Sequence, residues 1–373
     1  MTRLVTALAT LACAPTRPTD VIIAPPPETY AERIAAAEAL TDTGAWQRAL
    51  RLTDALITDA PDRPQAYLAR GRALAVADRL DGSAEAYERA YALGERSRRL
   101  YAELTSIHDM LRRYDDAERL YREYLGDHRD DTEMRQQLAL TLMLRGRPND
   151  AVAELKKLYD PNLASPDMMA IAEDLALAHF QAEHFGETER LVNDIVTREP
   201  KRPVALRLLA ELAVRRTALT QALAFAEQAV SVAPNDAAAR RLRAQLRLAL
   251  GDAQGALEDY RVLWHAGSAD TGVLLGLAGS LILTGDLAQA EAALARARTL
   301  GVTSPTLVLR EAQLRRRRGD PKALADIEAF AREHPTSLDV WQELLVIATD
   351  IHDREREKRA RAELRALGVV ADE

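Results

Sequence analysis

Side chains that could perform chemistry are few and widely separated in this sequence. Cys13 is the only cysteine among 373 residues, so it cannot form an intramolecular disulfide. The seven histidines include no pair four residues apart, the spacing of a helical zinc site. The sequence also lacks a phosphate-binding loop, a dinucleotide-binding loop and a nucleophile elbow. It therefore predicts no metal, no cofactor and no catalytic residue, with the histidines in packing or surface roles.

The charge of the chain likewise does not indicate a nucleic-acid-binding protein. The chain has 50 basic and 57 acidic side chains, so its net charge is −7. A mildly acidic chain is not built for wholesale binding to nucleic acid. The most basic run is "LRRRRGD", residues 314–320, and no aromatic residue lies near it. We interpret it as a solvated helix end, where cations lie beside the backbone carbonyl groups.

The elements that must position any site follow from an internal repeat. Two columns of small residues recur at intervals of 34 residues, with one interval of 37. The first column is Ala37, Gly71, Thr105, Ala139, Ala176, Ala210, Ala244, Ala278 and Ala312. The second is Ala49, Ser83, Ala117, Ala151, Thr188, Ala222, Ala256 and Ala290. Small residues allow helices to approach closely, and five glycines fall between the two helical runs of a unit, where a tight turn is needed.

These columns and their 34-residue period resemble the tetratricopeptide repeat, a helix–turn–helix unit. The resemblance implies an all-α solenoid of about ten units over residues 30–368, forming a right-handed superhelix with helices of about 12–15 residues. The units are expected to start near residues 30, 64, 98, 132, 169, 203, 237, 271, 305 and 338. The wider interval indicates a three-residue insertion near residues 159–167.

The resemblance further implies a concave groove, lined by the first helix of each unit, that binds a protein or peptide. At the twelfth position, five successive units have the apolar residues Met143, Phe180, Val214, Leu248 and Ile282. Polar groove residues are expected at Gln136, Glu173, Arg207, Glu211, Arg241 and Gln245. The alternative is that the twelfth position packs against the neighbouring unit. Gly276 and Gly279 are open to two similar interpretations, a flat spot in the groove or close packing between units.

The N-terminus suggests a targeting segment. Residues 1–12 carry one positive charge and then a short uncharged stretch, far below the ~20 apolar residues that span a bilayer. Ending in "TLAC", this segment resembles a bacterial lipoprotein signal, which implies lipidation of Cys13. Residues 13–29 contain five prolines and read as an extended tether, and residues 369–373 as a tail. The alternative is an irregular N-terminus on a cytoplasmic protein.

Together these observations favour a non-catalytic scaffold for protein–protein interaction rather than an enzyme. The expected setting is the cell envelope, anchored by lipid to the outer membrane and facing the periplasm. There the protein would assist assembly of a secretion, pilus or other envelope complex. Its expected partner is a protein or peptide, with no nucleic acid, no small-molecule substrate and membrane contact through the lipid alone. A cytoplasmic adaptor or regulator is the second hypothesis, and an enzyme or nucleic-acid binder is the third.

Overall fold

The computed structural model describes residues 29–163, 165–267, 270–320 and 322–368. Within these ranges the chain forms twenty α-helices in consecutive packed pairs, and no strand. The expected all-α solenoid of helix–turn–helix units is confirmed.

The chain divides into two compact units, Met1–Thr141 and Leu142–Glu373, and the division falls within α7. The helices up to that point are α1 (Tyr30–Asp42), α2 (Trp46–Asp59), α3 (Pro64–Val76), α4 (Leu80–Ala92), α5 (Arg98–Met110), α6 (Tyr114–Asp127) and α7 (Thr132–Leu144). Those beyond it are α8 (Pro148–Leu155), α9 (Pro166–Gln181), α10 (Phe185–Arg198), α11 (Pro203–Arg215), α12 (Leu219–Val232), α13 (Ala237–Ala249), α14 (Ala253–His265), α15 (Thr271–Thr284), α16 (Leu287–Thr299), α17 (Pro305–Arg317), α18 (Lys322–Glu333), α19 (Leu338–Asp350) and α20 (Arg354–Ala366).

The first helix of each pair begins where the repeat register places it, except in the fifth pair. There α9 begins at Pro166, three residues before the expected 169. The Ser165 side chain accepts a hydrogen bond from the Met168 backbone N–H, and proline suits the first turn because no N–H is needed there. The insertion therefore lengthens α9 to 16 residues, whereas α8 has only 8, so both fall outside the expected length.

The turn inside each pair passes through one left-handed residue. Five pairs use glycine there, with φ between 76° and 90°, at Gly44, Gly146, Gly251, Gly285 and Gly319. The other five use residues with a side chain, with φ between 56° and 60°, at Asp78, Arg112, Glu183, Thr217 and His352. The turn geometry is thus the same throughout, and glycine is not required for it in half of the pairs.

Both small-residue columns lie in the core. Every alanine, serine and threonine of the two columns is at most 1% exposed. In the second pair the hydroxyl of Ser83 donates to the carbonyl of Gly71 at 2.7 Å, which joins the two columns directly. Close contact between the helices of a pair is therefore the reason for the small side chains.

First helices of neighbouring pairs also contact each other and form a continuous face within each compact unit. Before the division α1 contacts α3, and α3 contacts α5. Beyond it the contacts run from α9 to α11, α13, α15 and α17. We call this surface the first-helix face, and it carries the expected groove residues.

Candidate functional site

A cleft of ≈ 330 Å³ lies on the first-helix face where α9, α11 and α13 are neighbours. Three successive first helices thus contribute side chains to one space. Its lining consists of Phe180, Arg207, Glu211, Val214, Arg215, Ala238, Arg241, Leu242 and Gln245. Six of these nine are groove residues predicted from the sequence, and we call this space the central cleft.

Aromatic and apolar groups form one part of the central cleft. Phe180 of α9 meets Phe185 of α10 edge to face, with ring centroids 5.6 Å apart. This contact fixes the Phe180 ring at the end of its helix while leaving it partly exposed to the cleft. Val214 is exposed, and Leu242 packs at the margin of a buried cluster. The cleft can therefore accept an apolar side chain.

Charged groups form the rest of the lining, and arginine outnumbers acid. Arg207 and Glu211 pair one helical turn apart at 2.8 Å. Arg241 pairs at 2.8 Å with Asp270, which lies outside the lining. Arg215 is held by an aromatic ring, because its guanidinium carbon lies 3.7 Å from the Phe185 centroid. The lining thus has three guanidinium groups and one carboxylate.

Other predicted groove residues lie outside the central cleft. Ile282 is 3% exposed and belongs to the core cluster of α13 to α17, and Leu248 packs partly buried against that cluster. Met143 is 8% exposed. The five twelfth-position residues therefore do not form a uniformly exposed stripe. Met143 and Ile282 are buried by packing, which agrees with the alternative interpretation.

Two predicted polar residues are also placed elsewhere. Glu173 is 9% exposed and pairs with Arg202 at 3.1 Å, and burial raises its pKa. It therefore serves a buried ion pair between α9 and the start of α11. Gln136 is half-buried on α7, in the first compact unit.

Three lining residues were missed from the sequence: Arg215, Ala238 and Leu242. Ala238 falls on the second position of its unit, which the groove pattern includes, so the register could have identified it. Arg215 and Leu242 occupy the thirteenth and sixth positions, which the pattern omits. The thirteenth position is at the end of a first helix, and the repeat alone does not predict how exposed a side chain at such an end is.

The thirteenth position also contributes to a second cleft, of ≈ 420 Å³, on the first-helix face of α3 and α5. Val76 and Met110 are 50% and 54% exposed there. Arg72 and Glu103 are among its other lining residues, so its apolar surface carries both signs of charge. None of the groove residues predicted from the sequence lies on these two helices.

The described residues contain no group of three or more potential ligands that could hold a metal ion. They do contain a histidine pair that spacing rules did not suggest. His179 is 3% exposed, and its Nδ1 lies 3.1 Å from Nδ1 of His184. The turn after α9 brings the two rings together. Burial lowers the pKa of His179 to about 4, helped by the nearby Lys156.

The run at residues 314–320 is largely neutralised by carboxylates. Arg315 pairs with Asp326, and Arg318 pairs with Glu291 at 2.7 Å. Arg316 lies 3.3 Å from Glu343. These contacts join α17 to its neighbours.

Comparison with known proteins supports the repeat assignment. The tetratricopeptide-repeat family model matches residues 34–97 and 110–167. A tetratricopeptide repeat protein from Parabacteroides merdae has the same fold over 68% of this chain and 98% of its own, with a TM-score of 0.59 and 18% identity. A search of curated proteins found none that matches this chain.

Two further solved structures align less well. The C-terminal part of a TPR repeat-containing protein from Cytophaga hutchinsonii covers 65% of this chain and 99% of its own, with a TM-score of 0.45 and 13% identity. The structure of PilF of Pseudomonas aeruginosa covers 58% of this chain and 97% of its own, with a TM-score of 0.43 and 15% identity. Tetratricopeptide repeats are therefore supported by the family match and the first structure, and such a fold suggests a scaffold for protein–protein interaction.

Residues 1–28 and 369–373 lie outside the described residues, and with them Cys13, the signal segment, the tail and almost all of the tether. Thr29, the last residue assigned to the tether, is described and caps α1 in a capping box with Glu32. None of the described helices has the length and apolar character needed to cross a membrane.

Proposed function

We propose that this protein is a non-catalytic scaffold that binds a protein partner in the central cleft. The observation that carries the proposal is the meeting of six groove residues, chosen from the repeat register alone, in one cleft of ≈ 330 Å³. A partly exposed aromatic ring beside arginine side chains is the composition of a binding hot spot. Arg207, Arg241 and Glu211 would set the direction of the partner.

The partner can be identified by photo-crosslinking in the producing cells. A photoreactive phenylalanine analogue replaces Gln245, which is exposed and lines the cleft, and the crosslinked protein is identified by mass spectrometry. The matched control carries the analogue at Ala249, exposed on the same helix but outside the lining. A partner specific to residue 245 supports the proposal, whereas equal capture at both positions contradicts it.

Phe180→Ala then tests whether the ring binds the partner. If Phe180 is an anchor, affinity should fall by more than ~1 kcal/mol while the melting temperature changes little. Phe225→Ala is the control, because Phe225 packs against two buried clusters and is not among the lining residues of the cleft, so its loss should reduce stability alone. A loss of stability of ~3–5 kcal/mol for Phe180→Ala, with unchanged affinity per folded molecule, would assign the ring to packing instead.

We further propose that the scaffold is anchored by lipid at Cys13 in the cell envelope and assists assembly of an envelope complex, such as a secretion or pilus machine. The support is the lone cysteine after a signal-like segment. Stable anchoring needs more than one acyl chain, because a single chain binds only marginally. Metabolic labelling with an alkyne fatty acid should mark the wild type and not Cys13→Ala. Intact Met1 in the soluble fraction of the native host would contradict the anchor.

A further inference from the structure

The central cleft is locally cationic in a chain that is acidic as a whole. Its lining has Arg207, Arg215 and Arg241 against Glu211, a balance of +2, or +1 if Asp270 is counted with Arg241. The whole chain has a net charge of −7. Positive charge is thus concentrated beside the apolar part of the cleft.

Arg215 is the guanidinium best placed to meet an external anion. In the described part of the chain no carboxylate forms an ion pair with it, and its guanidinium is stacked on Phe185. Stacking occupies one face of the planar group and leaves its N–H edge free to form a bidentate contact with a carboxylate. The stacked position also reduces the rotational freedom that the side chain loses on binding.

A second unused donor lies in the same lining. The side chain of Arg207 is 15% exposed, and its Nε has no hydrogen-bond partner within the described residues. Glu211 satisfies only the other end of that guanidinium. The Arg207 guanidinium is thus incompletely hydrogen-bonded, and its charge adds to the cationic character of the lining.

We infer that the central cleft binds an acidic segment of a polypeptide, in which an apolar side chain is flanked by carboxylates. The apolar side chain contacts Phe180 and Val214, and a neighbouring carboxylate pairs with Arg215. This inference rests on the proposed function, because it specifies the partner of the same cleft. Charge complementarity argues for the acidic partner, since a basic segment would place like charges together.

The test uses the full chain and four fluorescein-labelled peptides measured by fluorescence anisotropy. The acidic peptide is Gly-Ser-Glu-Glu-Leu-Glu-Glu-Ser-Gly. Its three counterparts replace every Glu with Lys, every Glu with Ser, or Leu with Ser. The acidic peptide with Leu should bind at least about tenfold more tightly than any counterpart, and its affinity should fall with added salt.

Variants identify the arginine. Arg215→Gln should weaken the acidic peptide about tenfold, because a charge-assisted bidentate contact is lost. Arg216→Gln is the matched control, since Arg216 is the adjacent residue, pairs with Glu189 and lies outside the lining. It should change affinity less than about twofold. Arg215→Glu should reverse the preference towards the lysine peptide.

The outcomes separate this inference from the proposed function. If the serine peptide with Leu binds as tightly as the acidic one and Phe180→Ala removes both, the cleft still docks peptides and the acidic specificity is wrong. Equal effects of Arg215→Gln and Arg216→Gln also overturn it, as does an absence of binding by all four peptides. Crosslinking at residue 245 tests the proposed function independently of any peptide.

Discussion

Gly276 of α15 lies against the ring of Tyr260 of α14, so closely that a Cβ at residue 276 would be 2.6 Å from Tyr260 Cε1. Tyr87 holds the same repeat position as Tyr260 and leaves equally little space at Gly71, where a Cβ would be 2.6 Å from its Cε1. Each tyrosine is at most 2% exposed. Of the two interpretations of Gly276, close packing between units is therefore the one the geometry supports.

Gly276→Ala should destabilise the protein by ~1–3 kcal/mol, because the overpacking outweighs the gain in helix propensity of about 1 kcal/mol. The double variant Gly276→Ala with Tyr260→Leu should be less destabilised than the sum of the two single variants. Gly126→Ala is the control, since that position in α6 has open space and the change should be neutral or stabilising. Thermal and urea unfolding check the series, and additive effects would contradict the contact.

Thr217 has a left-handed backbone with φ of 58°, which is unfavourable for a β-branched residue. Gly251 holds the equivalent turn position two residues after α13, with φ of 87°. Thr217→Gly should stabilise the chain by up to about 1 kcal/mol, because relief of the strained φ exceeds the extra entropy of the unfolded chain. Gly251→Thr should destabilise it by a similar amount. Changes of the same sign in both variants would contradict this account, and unfolding midpoints decide it.

The fold could be predicted from the repeat, because close contact between helices restricts the size of the residue at a fixed period. It did not reveal that five turns adopt the left-handed conformation without glycine, since the hairpin geometry imposes it on whatever residue is present. It also could not tell which of the twelfth-position residues are exposed and which are buried. Val214 is exposed while Ile282 is buried, because core packing from α13 to α17 encloses the second. Arg215 lines the cleft only because of contacts at the end of its helix, which the repeat does not encode.

Asp259 of α14 is 1% exposed and holds three arginines of α13. Its carboxylate lies 3.0 Å from Arg240, 2.5 Å from Arg243 and 3.1 Å from Arg247. Asp259→Asn should cost ~3–5 kcal/mol, because three largely buried cations lose their shared partner. Hydrogen exchange should report the loss locally, as faster exchange in α13 and α14.

Glu258→Gln is the matched control for Asp259, since Glu258 is the adjacent residue and is exposed. It removes the same charge and should leave exchange in α13 and α14 almost unchanged. Similar exchange in the two variants would show that the arginine cluster stabilises by net charge alone and would contradict the proposed role of Asp259.

The buried His179 should make the stability of the fold depend on pH. Burial first, then the positive charge of Lys156, lowers its pKa from 6.5 to about 4. The folded state therefore binds fewer protons than the unfolded state between these values, so the free energy of unfolding falls as the pH falls from 6.5 towards 4. For this single group the loss is at most about 3 kcal/mol.

His179→Leu removes this titration and suits the site, because Leu74 and Leu142 hold the same repeat position in other units and are at most 3% exposed. Relative to the wild type, the variant should become more stable as the pH is lowered from 7.5 to 4.5, by about 1–3 kcal/mol. His265→Gln, at an exposed position, should show no such trend. Urea unfolding across this pH range checks it. A stability difference between His179→Leu and wild type that is constant with pH would mean that His179 is not held neutral in the folded chain.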